Sequence, residues 1–361
     1  MTCSTGQETA SGGRIVWENA PCPLCGRVDE ELLIATTLEP EKAELRLVRC
    51  RGCQMAYLNP RPDQDSIGRF YPDNYECYKA PAADRTGWWG RLRTPLERLV
   101  RSRYQGNPRP LRHWYERLIA LLANRFLRPN RDSLTAIPFH GEGRLLDFGC
   151  GSGWYAERMR RRGWAVSGLD FNPYAALQVK RRFGIPVFVG SLPHPDVKPE
   201  SFDVITMGSV LEHVHHPQQV VAAAARVLRP EGLLVILVPN LDSWGFRHFG
   251  SDWYALDLPR HLLHFTPATL RRLVEICDLE VIELRMLGRT SWMRRSLARA
   301  AGRQVSLTHR LLTACRRLPI IPSLLTRWTV WRKQADCILL IARRPKDQAL
   351  TAFSPSLSHA A

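Results

Sequence analysis

A short run of glycines after an apolar segment is the feature that most limits how this chain can fold. The segment Arg144 to Phe148 has the apolar character of a buried strand. Glycines follow it at alternate positions, which are Gly149, Gly151 and Gly153. They permit a tight turn that side chains would obstruct, and the residues from Ala156 onward are typical of a helix. A strand, a glycine turn and a helix start form the nucleotide-binding corner of an open α/β sheet, where backbone N–H groups can meet a ligand.

A second apolar segment ends in an acidic residue. Trp164 to Asp170 has the pattern of a strand, and Gly163 before it suits the C-terminus of the preceding helix. In dinucleotide-binding sheets, an acid about 20 residues beyond the glycine loop binds the ribose hydroxyls. Asp170 stands at that place, so the sequence predicts a ligand that carries a ribose.

The acid that precedes the glycines distinguishes between nucleotide ligands. Asp147 opens the pattern Asp-x-Gly-x-Gly-x-Gly. The pyrophosphate of a dinucleotide is negatively charged and would not favour this carboxylate, whereas a ligand with a cationic amino-acid portion would. The pattern resembles that of the class I S-adenosylmethionine-dependent methyltransferases. The resemblance extends over residues 142–290.

This resemblance implies an α/β fold with a Rossmann-like sheet of seven strands. After Asp170, strands are predicted at 186–192, 201–207, 233–238, 279–284 and 336–342. In the family the last strand is antiparallel and lies between the fifth and the sixth. The usual turn before the fifth strand has two glycines, and Glu231 replaces the first of them here.

The resemblance also assigns cofactor-binding residues. Those expected along the methionine portion of S-adenosylmethionine are Asp147, Gly149, Gly151 and Gly153. Asp170 would hold the ribose, and Phe171 would lie near the adenine. Ser191 and Leu192 stand where family members often carry an acid for the adenine amino group, and a serine accepts that hydrogen bond more weakly.

Two Cys-x-x-Cys pairs lie near the N-terminus. Cys22 and Cys25 form the first pair, Cys50 and Cys53 form the second, and 24 residues separate the pairs. Each pair can sit on a tight turn with both thiolates facing one tetrahedral zinc ion, although the gap is slightly longer than usual. Four thiolates leave no open position, so the sequence predicts a small zinc ribbon with a structural Zn²⁺. The alternative is four unrelated reduced cysteines.

A ribbon followed by this core resembles bacterial methyltransferases associated with polysaccharide, glycolipid and deoxysugar pathways. In related sugar C-methyltransferases, a Glu-His pair supplies a candidate general base. His261 matches that histidine, and Arg260 stands where the glutamate would be. This departure puts C-methylation in doubt, so methylation of a hydroxyl is the predicted reaction. Arg260 is the predicted substrate residue, which would clamp a phosphate, and a salt bridge to Asp257 is the alternative.

Histidine is the natural base for a hydroxyl acceptor, because its pKa lies near neutrality. The candidate catalytic residues are His261, in a loop over the carboxyl ends of the strands, and His213, in the predicted helix after the fourth strand. The alternatives are a hydrogen bond that locks the loop for His261 and a role at the helix start for His213. A catalytic divalent ion is less favoured, because Ser209 removes the first carboxylate of the Glu-x-x-Glu-His motif that binds one in some methyltransferases.

The chain is strongly basic, with a formal net charge of +17. Arginine and tryptophan are concentrated in residues 85–131 and 289–333, together with apolar patches. This composition suits an anionic membrane surface, and RNA is a less favoured partner because no aromatic strand motif for base stacking is visible. Ordinary solvated helix faces are an equally open interpretation.

The sequence predicts a disordered lead (1–18), a zinc ribbon (19–80), a basic helical connector (81–141), a methyltransferase domain (142–345) with a basic insertion (289–335), and a disordered tail (346–361). It shows no signal peptide and no apolar run of the roughly 18 residues that span a bilayer. We therefore expect a cytoplasmic protein, in contact with the inner membrane face if the basic segments bind lipid. The expected activity is methyl transfer to a hydroxyl of a saccharide, glycolipid or related small acceptor. The alternatives are an RNA methyltransferase and a non-catalytic ribbon adaptor.

Overall fold

A computed structural model of the chain describes residues 15–38, 43–72, 113–116, 118–119, 134, 137–301 and 320–346. Most of the predicted disordered lead (1–18), connector (81–141) and tail (346–361) lies outside the described residues, and so do residues 302–319 of the predicted basic insertion. Those predictions therefore stay untested.

The described residues form strands and helices in the following order. The strands are β1 (Trp17–Glu18), β2 (Glu30–Leu38), β3 (Ala43–Cys50), β4 (Ala56–Leu58), β5 (Arg61–Pro62), β6 (Arg144–Phe148), β7 (Ala165–Asp170), β8 (Val187–Val189), β9 (Phe202–Gly208), β10 (Leu228–Pro239), β11 (Leu263–His264), β12 (Glu280–Leu287) and β13 (Cys337–Arg343). The helices are α1 (Trp154–Arg160), α2 (Pro173–Phe183), α3 (Pro217–Val227), α4 (Trp244–Phe249), α5 (Pro267–Glu275), α6 (Thr290–Ala300) and α7 (Ile320–Trp331).

The central sheet has seven strands in the order β12-β13-β10-β9-β6-β7-β8. The pairs among β10, β9, β6, β7 and β8 are parallel. β13 runs antiparallel to both of its neighbours, β10 and β12. The predicted Rossmann-like sheet, with its last strand antiparallel between the fifth and sixth, is therefore confirmed.

Alternate residues of the central strands pack into two separate apolar clusters. Leu146 and Ile205 belong to one cluster, whereas their neighbours Leu145 and Val204 belong to the other. Because successive side chains of a strand point to opposite faces, both faces of the sheet are covered. Helices α3 and α5 share the first cluster, and α1 and α2 share the second. Burial on both faces explains why these strands read as continuous apolar runs.

The N-terminal strands form a second sheet that a distant part of the chain completes. Its order is β11-β4-β3-β2. β11 pairs antiparallel with β4, with Leu263 opposite Tyr57 and His264 opposite Ala56. The Leu58 amide also donates to the Leu262 carbonyl at 2.9 Å. The predicted ribbon is thus hydrogen-bonded to the strand that follows His261.

The segment after β9 differs from its prediction. His213 was expected in a helix, but it lies in a single 3₁₀ turn over Leu211–His213. Helix α3 begins only at Pro217. A proline suits the first turn of a helix because it lacks an N–H to donate, so the helix start falls after the histidine.

The pairing of β4 with β11 predicts that the ribbon and the central sheet unfold together. Leu58 is fully buried in the cluster that both share. Leu58→Ala should lower the free energy of unfolding by about 2–5 kcal/mol, because it leaves a cavity. Urea unfolding followed by circular dichroism and by tryptophan fluorescence should still give coincident transitions. Leu177→Ala, on the exposed face of α2, should change stability by less than about 0.5 kcal/mol. Two separated transitions would contradict the prediction.

Candidate functional site

The carboxyl ends of β6, β7 and β9 meet at one edge of the central sheet. The glycine loop follows β6, Asp170 ends β7, and the turn of Leu211–His213 follows β9. Ligands of open α/β sheets bind at this edge, where the strand order changes direction. The predicted cofactor residues and one predicted catalytic histidine are therefore together.

The loop glycines are required by both conformation and space. Gly149 and Gly153 both have φ of +73°, which side chains rarely adopt. A Cβ on Gly149 would lie 2.2 Å from Val210 Cγ2, and one on Gly153 would lie 2.8 Å from Val179 Cγ2. The backbone at Gly149 thus approaches the turn after β9 closely, which brings the loop against the residues that precede His213.

Asp170 ties the loop to the second strand. Its carboxylate accepts hydrogen bonds from the Gly151 amide at 2.8 Å and from the Asn172 amide at 3.0 Å. Burial raises the pKa of Asp170, and these two amides oppose the rise. The carboxylate is therefore held at the mouth of the loop, where the prediction places the ribose.

The residues predicted around the adenine flank Asp170. Phe171 is half exposed. Ser191 is exposed and Leu192 is buried, both directly after β8, and the Gly190 amide donates to the Asp170 carbonyl at 2.9 Å. The ends of β7 and β8 are thus followed by the apolar side chains of Phe171 and Leu192 and by the hydroxyl of Ser191.

Asp147 is buried at the end of β6. Its Oδ1 accepts a hydrogen bond from the Thr206 hydroxyl at 3.0 Å. Burial raises its pKa to about 7; the Thr206 bond lowers it and the charge of Asp170 raises it further. Two buried carboxylates with raised pKa values near one loop are suited to a cationic ligand group, which would favour their ionised forms.

His213 and His261 form a pair of rings whose centroids lie 4.7 Å apart. His213 Nδ1 is 2.9 Å from the Arg260 carbonyl, and His261 Nδ1 is 2.9 Å from the Ala255 carbonyl. A carbonyl only accepts, so each ring carries its hydrogen on Nδ1 and leaves Nε2 as an acceptor. Burial lowers the pKa of both rings, so both are neutral at neutral pH. The loop-locking bond predicted as the alternative for His261 is present.

Glu212 lies directly behind this pair. Both of its carboxylate oxygens are buried without a hydrogen-bond partner among the described residues. Burial raises its pKa to about 8. Ligand-type atoms of Glu212, His213 and His261 lie within 4.8 Å of one another. The geometry leaves room for the divalent-ion alternative, while Ser209 supplies no carboxylate to it.

Arg260 is engaged within its own loop. Its Nε donates to Asp257 Oδ2 at 2.9 Å, and a second bond joins Nη2 to Oδ1. Burial raises the pKa of Asp257, but the Arg260 bond and the nearby histidines bring it below its usual value. The salt-bridge alternative for Arg260 is therefore present, and a phosphate-binding role stays a prediction.

Sequence reasoning missed Tyr71. Its hydroxyl lies 2.7 Å from His213 Nδ1, although 142 residues separate the two positions in the sequence. Neighbouring contacts join the same parts of the chain, because Arg61 donates to the His215 carbonyl at 3.1 Å and His215 donates to the Pro62 carbonyl at 2.9 Å. No local pattern marks such a long-range contact.

The four predicted metal ligands come together in the ribbon. The sulfur atoms of Cys22, Cys25, Cys50 and Cys53 lie within 4.8 Å of one another, with Cys22 and Cys53 at 3.4 Å and Cys25 and Cys50 at 3.5 Å. Both pairs sit on matching turns, because the Gly26 amide donates to the Cys22 carbonyl and the Gln54 amide to the Cys50 carbonyl. Four cysteine sulfur atoms this close together could hold Zn²⁺, which prefers four such ligands.

Comparison with known proteins supports one family. Residues 111–284 match the family described as "Methyltransferase domain". The ubiquinone biosynthesis O-methyltransferase of Hahella chejuensis is 35% identical over 156 residues, which cover 39% of this chain and 65% of that protein. The protein of the same name from Thiobacillus denitrificans is 35% identical over 163 residues, covering 42% and 69%. The matches thus span about two thirds of the length of these curated relatives.

Solved structures with a similar fold are more distant. A SAM-dependent methyltransferase from Methanosarcina mazei matches with a TM-score of 0.40 and 18% identity, covering 57% of this chain and 95% of that one. An S-adenosylmethionine-dependent methyltransferase from Mesorhizobium loti also has a TM-score of 0.40 and 18% identity, covering 58% and 94%.

The raised pKa of Asp147 predicts a pH-dependent affinity for S-adenosylmethionine. A cationic ligand favours the ionised carboxylate, which dominates above a pKa of about 7. Affinity should be highest above pH 7 and fall by up to about tenfold per unit below it. Calorimetric titrations from pH 5.5 to 8 measure this dependence. Asp147→Asn should weaken binding and flatten the profile, whereas Asp65→Asn, an exposed carboxylate of the ribbon, should leave it unchanged. A flat wild-type profile would contradict the assignment.

Proposed function

Because the chain belongs to the S-adenosylmethionine-dependent methyltransferase family, we propose that it methylates a hydroxyl of a saccharide, glycolipid or related small acceptor. The carboxyl ends of β6, β7 and β9 form the cofactor edge. The neutral His213–His261 pair beside this edge is the observation that carries this proposal. The name of these relatives, O-methyltransferase, favours oxygen as the accepting atom. The N-terminal ribbon, with its resemblance to polysaccharide-associated methyltransferases, favours a saccharide or glycolipid scaffold.

The cofactor supplies an electrophilic methyl group on a sulfonium, so the protein's main contribution is alignment. Asp147 and the amides of the glycine loop would hold the methionine portion, and Asp170 would hold the ribose. Phe171 would pack near the adenine, with Ser191 and Leu192 at its edge. Each of these residues stands at the sheet edge that includes the ends of β6, β7 and β8.

Proton removal from the acceptor falls to the histidine pair. As the hydroxyl oxygen gains the methyl group, its proton passes to an unprotonated Nε2. His213 is partly exposed whereas His261 is buried, so His213 is the ring that an acceptor can reach. His261 would support it by packing its buried ring against the His213 ring, with centroids 4.7 Å apart. A positioned general base contributes about 10²–10⁴-fold to a rate.

Alanine substitutions separate the two histidines. His213→Ala should lower kcat by about 10²-fold or more while leaving the affinity for S-adenosylmethionine within twofold. His261→Ala should lower kcat less. His140→Ala is the matched control, because His140 bonds the Glu231 carbonyl at the opposite edge of the sheet. Steady-state rates with an identified acceptor and calorimetric cofactor affinities measure both effects. Full activity of His213→Ala would remove it as the base.

Helices α6 and α7 form a basic and apolar face. It borders the loop of residues 254–261, called the acceptor loop because it carries His261. No acidic residue lies between Glu283 and Asp336 in the sequence. Helix α7 exposes Ile320, Leu324 and Trp331. The Arg295 and Arg299 guanidinium groups of α6 lie 4.7 and 4.8 Å from the Tyr254 ring centroid. Tyr254 begins the turn that leads to Asp257, so α6 is attached to the acceptor loop.

We propose that this face rests on an anionic membrane surface and brings a lipid-borne acceptor to the loop. Arginine and tryptophan beside exposed aliphatic side chains are typical of such surfaces. Among the described residues, no helix is long and apolar enough to cross a bilayer. From the arginines, tryptophans and exposed aliphatic side chains of α6 and α7, we infer peripheral contact as the mode of attachment.

Acceptor assays decide between the proposed function and its rivals. Purified protein with radiolabelled S-adenosylmethionine should label a membrane-lipid or saccharide extract, and base-stable labelling should show an ether linkage. Labelling of total RNA instead would favour the RNA methyltransferase alternative. Cofactor binding without transfer to any extract would favour the adaptor, and absence of cofactor binding would overturn the family-based assignment of S-adenosylmethionine.

We also propose that the ribbon holds one structural Zn²⁺ on Cys22, Cys25, Cys50 and Cys53. The sulfur spacing supports this, and four thiolates would leave no position for substrate. The ribbon is small, so metal binding would contribute directly to its folding. Because β4 pairs with β11, the ion would also stabilise the loop that carries His261.

Cys50→Ser tests the metal. Elemental analysis of the wild type should give about one zinc per chain, and Cys50→Ser should lose the metal and unfold at a lower temperature. Methyl transfer should fall with it. Cys277→Ser is the matched control, because Cys277 is buried outside the cluster. A metal-free wild type with the thermal stability of a zinc-loaded sample would rule out a structural zinc ion.

A further inference from the structure

The segment that follows β5 carries one aromatic side chain into the site. A 3₁₀ turn spans Ile67–Phe70, and Tyr71 is its C-terminal cap. The Tyr71 hydroxyl oxygen lies 2.7 Å from His213 Nδ1 and 3.5 Å from the Arg260 carbonyl oxygen. One nitrogen of His213 therefore faces two oxygens that come from residues 189 positions apart in the sequence.

The chemistry of these three groups fixes which atom carries which hydrogen. The Arg260 carbonyl can only accept, and it lies 2.9 Å from Nδ1. If Nδ1 lacked a hydrogen, its lone pair would face the lone pairs of that carbonyl. Nδ1 is therefore the donor, the Tyr71 oxygen shares that hydrogen, and the Tyr71 O–H turns toward the Arg260 carbonyl. This arrangement leaves Nε2 unprotonated.

The ring of Tyr71 makes a second, independent contact. It packs edge-on against Phe171, with centroids 5.2 Å apart at an interplanar angle of 74°. It also meets the His213 ring at 5.8 Å and 73°. Phe171 directly follows Asp170, the end of β7. Tyr71 thus spans the distance between the cofactor edge and the candidate base.

We propose that Tyr71 is a positioning residue with two separable roles. Its hydroxyl is a second acceptor for the Nδ1 hydrogen beside the Arg260 carbonyl, and it holds the His213 ring in the orientation whose Nε2 receives the proton of the acceptor hydroxyl. Its ring supports Phe171 at the cofactor edge. The first role rests on the proposed function, because it acts through His213 as the base. The ribbon segment thereby completes the active site of the sheet domain.

Two substitutions distinguish these roles. Tyr71→Phe removes the hydroxyl and keeps the ring, so kcat should fall by about tenfold, the equivalent of one hydrogen bond, while the Kd for S-adenosylmethionine stays within twofold. Tyr71→Ala also removes the ring, so that Kd should rise several-fold. Tyr174→Phe is the matched control, because Tyr174 is a half-exposed tyrosine of α2; its kcat and Kd should equal those of the wild type.

Nitrogen NMR of labelled histidine gives a readout besides activity. In the wild type, His213 should appear as a single Nδ1–H tautomer with a slowly exchanging proton. In Tyr71→Phe, the Arg260 carbonyl still accepts from Nδ1, so the tautomer should stay the same, but that proton should exchange faster and its chemical shift should change. Unchanged histidine signals together with unchanged kcat in Tyr71→Phe would overturn the proposal. So would a fall in kcat that is matched by an equal rise in Kd, because that pattern indicates packing alone.

The two proposals can fail separately. If the wild type transfers no methyl group, the proposed function is wrong, and the NMR comparison still decides whether the Tyr71 hydroxyl holds the His213 ring. If the wild type is active and Tyr71→Phe matches it in kcat and in the spectrum, only the positioning role is wrong.

Discussion

The antiparallel pairing of β4 with β11 is the contact on which the rest of this structure depends. It joins residues 56–58 to residues 262–264, so two regions more than half the chain apart share one sheet. Closing such a long loop costs conformational entropy. Burial of Tyr57, Leu58 and Leu263 in a common apolar cluster offsets this cost. Because β11 directly follows His261, the ribbon sheet fixes where the histidine loop leaves the central domain.

The site therefore has two supports. The central sheet positions the glycine loop and Asp170 through parallel pairing of β6 and β7, and the ribbon positions the histidine loop through β11. His213 lies at the junction, where the Leu262 amide donates to the Glu212 carbonyl at 2.8 Å. Buried polar groups concentrate at the same junction, with Glu212 lacking partners among the described residues. Such uncompensated burial is costly, and it is typical of sites that bind a ligand or move a proton.

The sequence was sufficient to predict the features that a short stretch of neighbouring residues determines. The Asp147–Gly153 motif and Asp170 predict the cofactor edge, because a strand, a tight turn and a helix start must be adjacent in the chain. The cysteine pairs predict the sulfur cluster for the same reason, since each turn is local. The place of the last strand, antiparallel between the fifth and the sixth, followed from the family resemblance, and the structure confirms it. His213 was misplaced in a helix because Pro217, four positions later, controls where α3 begins.

Contacts between segments that lie far apart in the sequence have no local sequence pattern that predicts them. The Tyr71–His213 contact and the β11 strand depend on how the ribbon meets the central domain, which side-chain periodicity does not encode. The shared sheet also has a consequence for how such proteins can be recombined. A hybrid that joins this ribbon to the core of a relative would separate β4 from the β11 that matches it, leaving a sheet edge without its partner. The ribbon and the histidine loop must therefore be exchanged as a pair, even though one lies before the central domain and the other within it.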